Sequence, residues 1–367
     1  MDRRKFLKTT ALGCAGACMA RSLAARAANG PITEARHYKK LSGKRVLCQL
    51  CPHRCKVKDG ERGDCEVREN RGGTYFTLVH SNPCSVHNDP IEKKPLFHFR
   101  PGTHSFSIAT AGCNIECEFC QNWRISQTTP DKVETYDLPP DRVAALARRY
   151  GSRSIALTYT EPVVFFEYSY DVAVEGRKAD IPAVMISNGF IEPAPMNELC
   201  DVLGGVKIDF KAFSQKFYEE RCLGELKPVL KTLELIKKRG IWLEMVHLTI
   251  PTLNDSEQEN RAMCKWILDH LGPDVPIHYT RFHPDFRLRG LPRTPVKTIA
   301  RMRDEALETG LHYAYAGNIP GNEGENTYCH KCKKLLIQRM GFRVVENNIT
   351  KDGTCPACNT AIPGVWK

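Results

Sequence analysis

Cys113, Cys117 and Cys120 stand in the run Ala-Gly-Cys-Asn-Ile-Glu-Cys-Glu-Phe-Cys-Gln-Asn-Trp, at the spacing C-x3-C-x2-C, with Phe119 just before the last thiol. Three thiolates on one tight loop can hold three irons of a cubane cluster and leave the fourth iron open. A cluster that only transfers electrons normally takes four cysteines. An open metal position is what catalysis needs, because a ligand can bind there. A zinc knuckle or a ferredoxin loop is the other reading of three such thiols.

Two further groups offer four thiols each. Cys48, Cys51, Cys55 and Cys65 form Cys-x2-Cys-Pro-His-x-Cys-x9-Cys, with His53 as a spare ligand. They read as a metal site, and spacing does not separate zinc from a second iron–sulfur cluster. Cys329-x2-Cys332 and Cys355-x2-Cys358 are two knuckles, the second preceded by Gly353. Together they read as a zinc ribbon with structural zinc, and a rubredoxin-type iron is the alternative. Lys331, Lys333 and Lys334 lie nearby, but no row of base-stacking aromatics accompanies them, so no nucleic-acid partner is expected. C-x2-C pairs among 17 cysteines in a chain of this size point to metal rather than disulfides. Cys200, Cys222 and Cys264, isolated among apolar residues, read as plain core thiols, and Cys84 is unassigned.

These ligands need a scaffold. The chain has 367 residues, 42% apolar and 26% charged, with a net charge of +11 and no long basic run. That suits a globular enzyme with a mixed-charge surface. No apolar run after the N-terminus is long enough to span a bilayer. Strand-like runs cover 105–110, 154–160, 183–188, 206–211, 242–250 and 277–282. Helical patterns cover 141–150, 163–176, 195–203, 228–239 and 257–271. A helix over 296–309 precedes a last short strand over 312–316. Alternating units of this kind predict an α/β fold built as a partial, open (βα)6 barrel over residues 101–323. Its active site is expected at the C-terminal ends of the strands, where the Cys113 loop follows the first strand. Residues 45–100 and 324–367 read as metal-stapled appendages.

Several strand ends carry polar residues. The second strand ends Thr158-Tyr159-Thr160-Glu161-Pro162, the third Ser187-Asn188-Gly189-Phe190 and the fourth Asp209-Phe210-Lys211. Strand alternation puts Asp209 and Lys211 on one face. A like-facing acid and base on a buried strand must be paired or functional. Glu244, Val246 and Leu248 share a face of the fifth strand, and His247 on the other face reads as a core residue. Thr280, Phe282 and His283 are expected near the mouth. In the connector Asp89-Pro90-Ile91-Glu92-Lys93-Lys94-Pro95-Leu96-Phe97-His98-Phe99, Glu92 and both lysines can reach the mouth, unless the segment is a packed linker.

The C-x3-C-x2-C loop resembles that of the radical S-adenosylmethionine (SAM) superfamily. The resemblance implies a [4Fe–4S] cluster on Cys113, Cys117 and Cys120, with SAM chelating the open iron and split there to a deoxyadenosyl radical. It implies that Thr160-Glu161-Pro162 stands where a Gly-Gly-Glu motif binds the amino group of SAM, so Glu161 is the expected ligand although the glycines are replaced. Asn188-Gly189 and Asp209-Phe210-Lys211 resemble glycyl-radical-enzyme activases, in which the matching residues line the SAM and substrate cleft. That places Asn188 and Asp209 at the cofactor and gives Asp209 and Lys211 catalytic roles. The long runs Cys-Gln-Leu-Cys-Pro-His-Arg-Cys, Asp-Pro-Ile-Glu-Lys-Lys-Pro-Leu-Phe-His-Phe, Cys-Gln-Asn-Trp-Arg-Ile-Ser-Gln and Ile-Pro-Gly-Val-Trp are similar to the radical SAM enzyme of the AmmeMemoRadiSam system, a relative of pyruvate formate-lyase activating enzymes. The resemblance implies hydrogen abstraction from a protein or small molecule, an external one-electron donor, and companion proteins as partners. A non-catalytic iron–sulfur or zinc carrier is the reading from another class.

Residues 1–28 resemble a twin-arginine export signal: Arg3 and Arg4, a weakly apolar stretch over 9–20, and Ala25-Arg26-Ala27. Cys14 and Cys18 fall within it and match a lipoprotein box poorly. A periplasmic setting is expected, the cytoplasm being the alternative.

Overall fold

Short apolar strands alternating with amphipathic helices bury both faces of a sheet only as parallel βαβ units. The computed structural model of the chain describes residues 25–26 and 32–367. The export-signal expectation thus lies, apart from residues 25–26, outside the described residues. Among the described residues the main sheet has eight strands, lying side by side in chain order. They are β1 (Ser85–Pro90), β2 (His104–Ala109), β3 (Ser154–Leu157), β4 (Ala183–Ser187), β5 (Leu203–Asp209), β6 (Trp242–Thr249), β7 (Ile277–Arg281) and β8 (Ala314–Gly317). Strands β2 to β8 are parallel, and β1 runs antiparallel to β2. The crossovers carry α1 (Pro140–Arg149), α2 (Phe166–Lys178), α3 (Pro193–Cys200), α4 (Leu226–Lys238), α5 (Glu257–Leu271) and α6 (Val296–Thr309). The expected α/β fold with a parallel sheet of strand–helix units is therefore present. No helix among the described residues is long and apolar enough to cross a membrane.

Strand β1 was not visible in the sequence, because His87, Asn88, Asp89 and Pro90 are poor strand formers. It lies at the sheet edge, where a proline costs no ladder bond. Helix α2 begins later than expected, since Glu161 takes the first amides of the stretch. The Val163 N–H donates to Glu161 Oε1 at 3.0 Å and the Val164 N–H to the Glu161 carbonyl at 3.1 Å. Local signals set other ends: the Glu259 N–H donates to the Ser256 hydroxyl at the start of α5, and Gly310 at φ +110 ends α6.

Alternation sends Ile155, Leu157, Ala183 and Met185 into the core shared with the helices. Ala156, Val184 and Ile186 pack instead on Ile91, Leu96 and Phe99. The connector after β1 thus fills the concave side of the sheet. A Cβ on Gly205 would come within 3.1 Å of the Phe99 ring, so any larger residue there would press on the ring. Glu244, fully buried, clamps the plug: the Phe97 and His98 amides donate to its two oxygens at 3.0 and 2.8 Å. Glu92 does not reach the mouth. It is buried, accepts the Gly102 N–H at 2.8 Å and faces Arg339.

The N-terminal segment forms two three-stranded antiparallel sheets, and the C-terminal one forms a third from Thr327–Tyr328, Leu335–Met340 and Arg343–Asn347. The last module has its own small apolar cluster, which reaches the last strand of the main sheet and the connector. Leu336, Ile337 and Ile362 pack with Phe97, Tyr313 and Tyr315, and the buried Arg339 donates to the Phe97 carbonyl at 2.8 Å.

Candidate active site

The loop after β2 presents Cys113, Cys117 and Cys120 to a cavity of about 510 Å³ at the C-terminal ends of the strands. Backbone bonds shape it. The Gly112 N–H donates to the Ile125 carbonyl at 2.9 Å, the Glu116 N–H to the Cys222 carbonyl at 2.8 Å and the Cys120 N–H to the Cys117 carbonyl at 3.1 Å. Cys120 Sγ lies 3.1 Å from the Ser126 hydroxyl. Burial pushes the Cys113 and Cys120 thiols up. Metal cations would hold these groups as thiolates. Cys222 is a core thiol as expected, fully buried, and its carbonyl helps to hold the loop. Three sulfurs beside an open space, with no fourth cysteine lining the cavity among the described residues, fit a cluster with one free iron.

Glu161 joins the ends of β3 and β4. The Val163 N–H and the Ser187 hydroxyl donate to its Oε1 at 3.0 and 2.7 Å, and the Asn188 N–H donates to Oε2 at 2.8 Å. Burial pushes its carboxyl up to about 7 against these bonds. The Asn188 side-chain amide donates to Asn114 Oδ1 at 2.9 Å, tying β4 to the cysteine loop.

Glu161 should leave a mark on stability. Its folded value lies above the ordinary 4.5, so the folded chain holds this proton more tightly than the unfolded one. That contribution is full below 4.5 and is lost as pH rises through 7. The wild-type advantage over Glu161→Gln in denaturant unfolding should therefore shrink between about pH 5 and about pH 8. A constant difference would refute this titration.

On β5 the alternation places Lys207, Asp209 and Lys211 together. Lys207 bonds Asp209 directly, and Lys211 Nζ lies 3.4 Å from Asp209 Oδ2. Burial works to raise the Asp209 carboxyl, but the two lysines hold it below the usual range. Lys207 was missed, although period two along the strand marks it. Across the cavity, Lys94 Nζ lies 2.6 Å from Asp89 Oδ2 and 3.2 Å from the Tyr159 hydroxyl, and burial brings the lysine down to about 8. Lys93 reaches Asp89 at 2.8 Å. Val246, Leu248 and Thr280 line the cavity. Phe282 is fully buried and His283 is exposed, so neither stands at the mouth. His247 is a core residue, between the Phe210 and Asn254 carbonyls. Phe342, from the C-terminal hairpin, closes one side of the cavity.

The sulfurs of Cys329, Cys332, Cys355 and Cys358 lie within 4.8 Å of one another, with two pairs at 3.6 Å. Cys48, Cys51, Cys55 and Cys65 line a second, small cavity. His53, expected as a spare ligand, instead bonds the Asn114 carbonyl through Nε2 at 2.6 Å. Cys84 stands outside both cavities.

A curled parallel sheet with three loop thiols and polar strand ends around one cavity defines a class of cluster enzymes. The sequence pattern of the radical SAM superfamily matches residues 107–264. An uncharacterized protein of Methanocaldococcus jannaschii is 42% identical over 330 residues, which cover 90% of this chain and 98% of that protein. The chain belongs to the radical SAM superfamily. Similar solved structures include a radical SAM methyltransferase from Sphaerobacter thermophilus, with TM-score 0.49 and 14% identity, covering 62% of this chain and 71% of that one. A domain of pyruvate-formate lyase-activating enzyme from Bacteroides vulgatus has TM-score 0.41 and 13% identity, covering 45% of this chain and 99% of that one.

Proposed function

We propose that this enzyme cleaves SAM in the cavity and abstracts a hydrogen atom from a substrate that carries an anionic group. One observation carries the substrate class. Lys93, Lys94, Lys207 and Lys211 line the cavity and outnumber the carboxylates beside them, Glu161 and Asp209 on its lining and Asp89 behind Lys93 and Lys94. When bound, the cluster supplies one electron to the sulfonium, which breaks the bond to the adenosyl carbon and leaves methionine and a deoxyadenosyl radical. The chain's own residues bind and orient. Glu161 has three of its acceptor positions filled by β3 and β4, and the remaining one suits the amino group of SAM. Asn188 sets the height of the cysteine loop. Asp209, held ionised by its lysines, suits a ribose or substrate hydroxyl. Phe342 and Met340 are 48% and 64% exposed at the hairpin tip, an apolar rim suited to a loop of a protein substrate. That rim favours an activase or a modifier of a companion protein over a small-molecule enzyme. Export by the twin-arginine route is a proposal carried by residues 1–28 alone.

Anaerobic reconstitution with SAM and a reductant, followed by deoxyadenosine measurement with and without candidate anionic or protein partners, tests the reading. Partner-independent, uncoupled cleavage across all candidates would count against it. Glu161→Ala should raise the dissociation constant for SAM by about tenfold to hundredfold, as for a lost charged hydrogen bond of about 1.5–3 kcal/mol. Iron content should not change. Wild-type affinity in that variant would return Glu161 to a purely structural clamp of β3 and β4.

A further inference from the structure

An electron donor has to approach the cysteine loop without entering the cavity that SAM and substrate fill, so the outer side of the loop is the face that matters. A strap over residues 282–295, between β7 and α6, lies across it. The Arg287 N–H donates to the Glu118 carbonyl at 3.0 Å, and Arg287 Nη1 lies 3.5 Å from Glu116 Oε2. Glu118 stands between Cys117 and Cys120 in the chain. The Phe286 ring stacks on Trp123, just past Cys120, with centroids 5.2 Å apart and planes at 16°. None of Glu116, Glu118, Trp123, Phe286 and Arg287 lines the cavity.

Backbone strain and charge both mark this strap. Phe286 sits at φ +49, an outlier for a bulky side chain that persists only where its surroundings impose it. Here the stack on Trp123, the Arg287 amide bond and Asp285 Oδ1, which accepts the Phe286 N–H at 2.6 Å, impose it. The strap carries Arg287, Arg289 and Arg293 against Asp285 alone. Arg287 and Arg221 offset Glu116 and Glu118 of the cysteine loop, at 3.5 and 2.8 Å. Arg124, Arg289 and Arg293 are exposed, and among the described residues none of them is ion-paired. The Arg124 guanidinium lies 5.4 Å from the Trp123 ring centroid and that of Arg287 4.9 Å from the Phe286 centroid, so each ring of the stack carries a cation. Uncompensated guanidinium groups around a half-buried apolar centre suit a transient acidic protein partner. Charge steers the encounter, and a small polar interface lets the partner leave. A nucleic acid would need free aromatic faces for its bases, and these two rings face each other.

We propose that the strap over residues 282–295, together with Arg124, is the docking face for an acidic one-electron carrier protein, which reduces the centre on Cys113, Cys117 and Cys120 from the outer side of the loop. One electron leaves the carrier, which is oxidised, and enters the centre, which is reduced. No bond forms or breaks. The inference rests on the proposed reaction, which uses one electron for each SAM cleaved, and it gives the donor a charge and a place. The cavity mouth beside Phe342 stays free for the substrate.

The test uses the full chain, reconstituted anaerobically with iron and sulfide. The probe is a reduced plant-type [2Fe–2S] ferredoxin, an acidic protein, in excess and without SAM. The rate at which the centre gains its reduced paramagnetic signal should fall by about tenfold or more in Arg289→Glu/Arg293→Glu at low salt, as when steering is lost. The difference should close at about 0.5 M salt, where screening leaves exposed charges little reach. Photoreduced deazariboflavin, a small neutral donor, should reduce both chains equally fast. Arg289→Lys/Arg293→Lys keeps the charge and should keep the ferredoxin rate. Its new amines should also cross-link to ferredoxin carboxylates with a carbodiimide, a readout that needs no cluster. An unchanged ferredoxin rate in Arg289→Glu/Arg293→Glu overturns the docking face. So does an equal loss with deazariboflavin, which would mean that the strap only shapes the loop. No cross-link at positions 289 and 293 overturns it as well. Because reduction and cross-linking are read without SAM, missing deoxyadenosine would count against the proposed reaction alone and leave the docking face standing.

Discussion

The chain with Cys113, Cys117 and Cys120 all replaced by alanine is expected to form no deoxyadenosine from SAM. The effect should be total, because among the described residues no other cysteine lines that cavity. The fold should survive, since the bonds that shape the loop are made by backbone groups of Gly112, Glu116 and Cys120. Any metal held by Cys329, Cys332, Cys355 and Cys358 should also stay bound, because none of those thiols comes from this loop. The contrast with Glu161→Ala is informative. That change removes one hydrogen bond to a bound ligand and costs about tenfold to hundredfold in affinity, whereas the triple change removes the site that accepts the ligand. Deoxyadenosine formed at the wild-type rate by the triple variant would overturn the assignment of these thiols.

The second large effect is expected at the other end of the chain. Four thiolates closing on one Zn²⁺ contribute on the order of 10 kcal/mol to folding of small modules. Cys329→Ser removes a ligand that is fully buried against Leu336, Ile337 and Tyr315. The hairpin over 335–347 should lose its order, and limited proteolysis should cut there. Zinc content should fall by one per chain. The barrel cluster should still assemble, because residues 324–367 supply none of its ligands. SAM turnover should nonetheless drop, since Phe342 leaves the cavity wall and Arg339 releases the Phe97 carbonyl of the barrel plug. Unchanged zinc and an unchanged cleavage pattern would refute a structural metal at this site.

The parts of this protein that were legible in the chain are those whose partners are neighbours in sequence. The C-x3-C-x2-C loop, the two C-x2-C knuckles and the period-two face of β5 each lie within a few residues. Chain connectivity alone brings such groups together. Strand and helix units were legible because their apolar periods are local, and the order of the sheet follows once consecutive units pack side by side. Strand β1 was not, because its composition opposes its conformation and only pairing with β2 selects it.

Long-range contacts decided the rest. Glu161 carries a carboxyl that the family resemblance aims at a ligand, yet Ser187 and Asn188 occupy most of it. Glu92 and Lys93 are adjacent in the connector, and packing sends one to Arg339 and the other to Asp89. Cys222 is far from the cysteine loop in sequence, and the fold brings its carbonyl to the Glu116 N–H at 2.8 Å. The composition and spacing of the chain by themselves determined the chemistry available: three thiol groups, a parallel α/β scaffold and a place for the site at the strand ends. The tertiary structure alone decided which side chains face the cavity, that the four C-terminal sulfurs close on one another, and that the N-terminal module touches the catalytic loop. The physical reason is that ligand spacing along a chain limits which atoms can meet, while the distance between them is set by packing against elements far away in sequence.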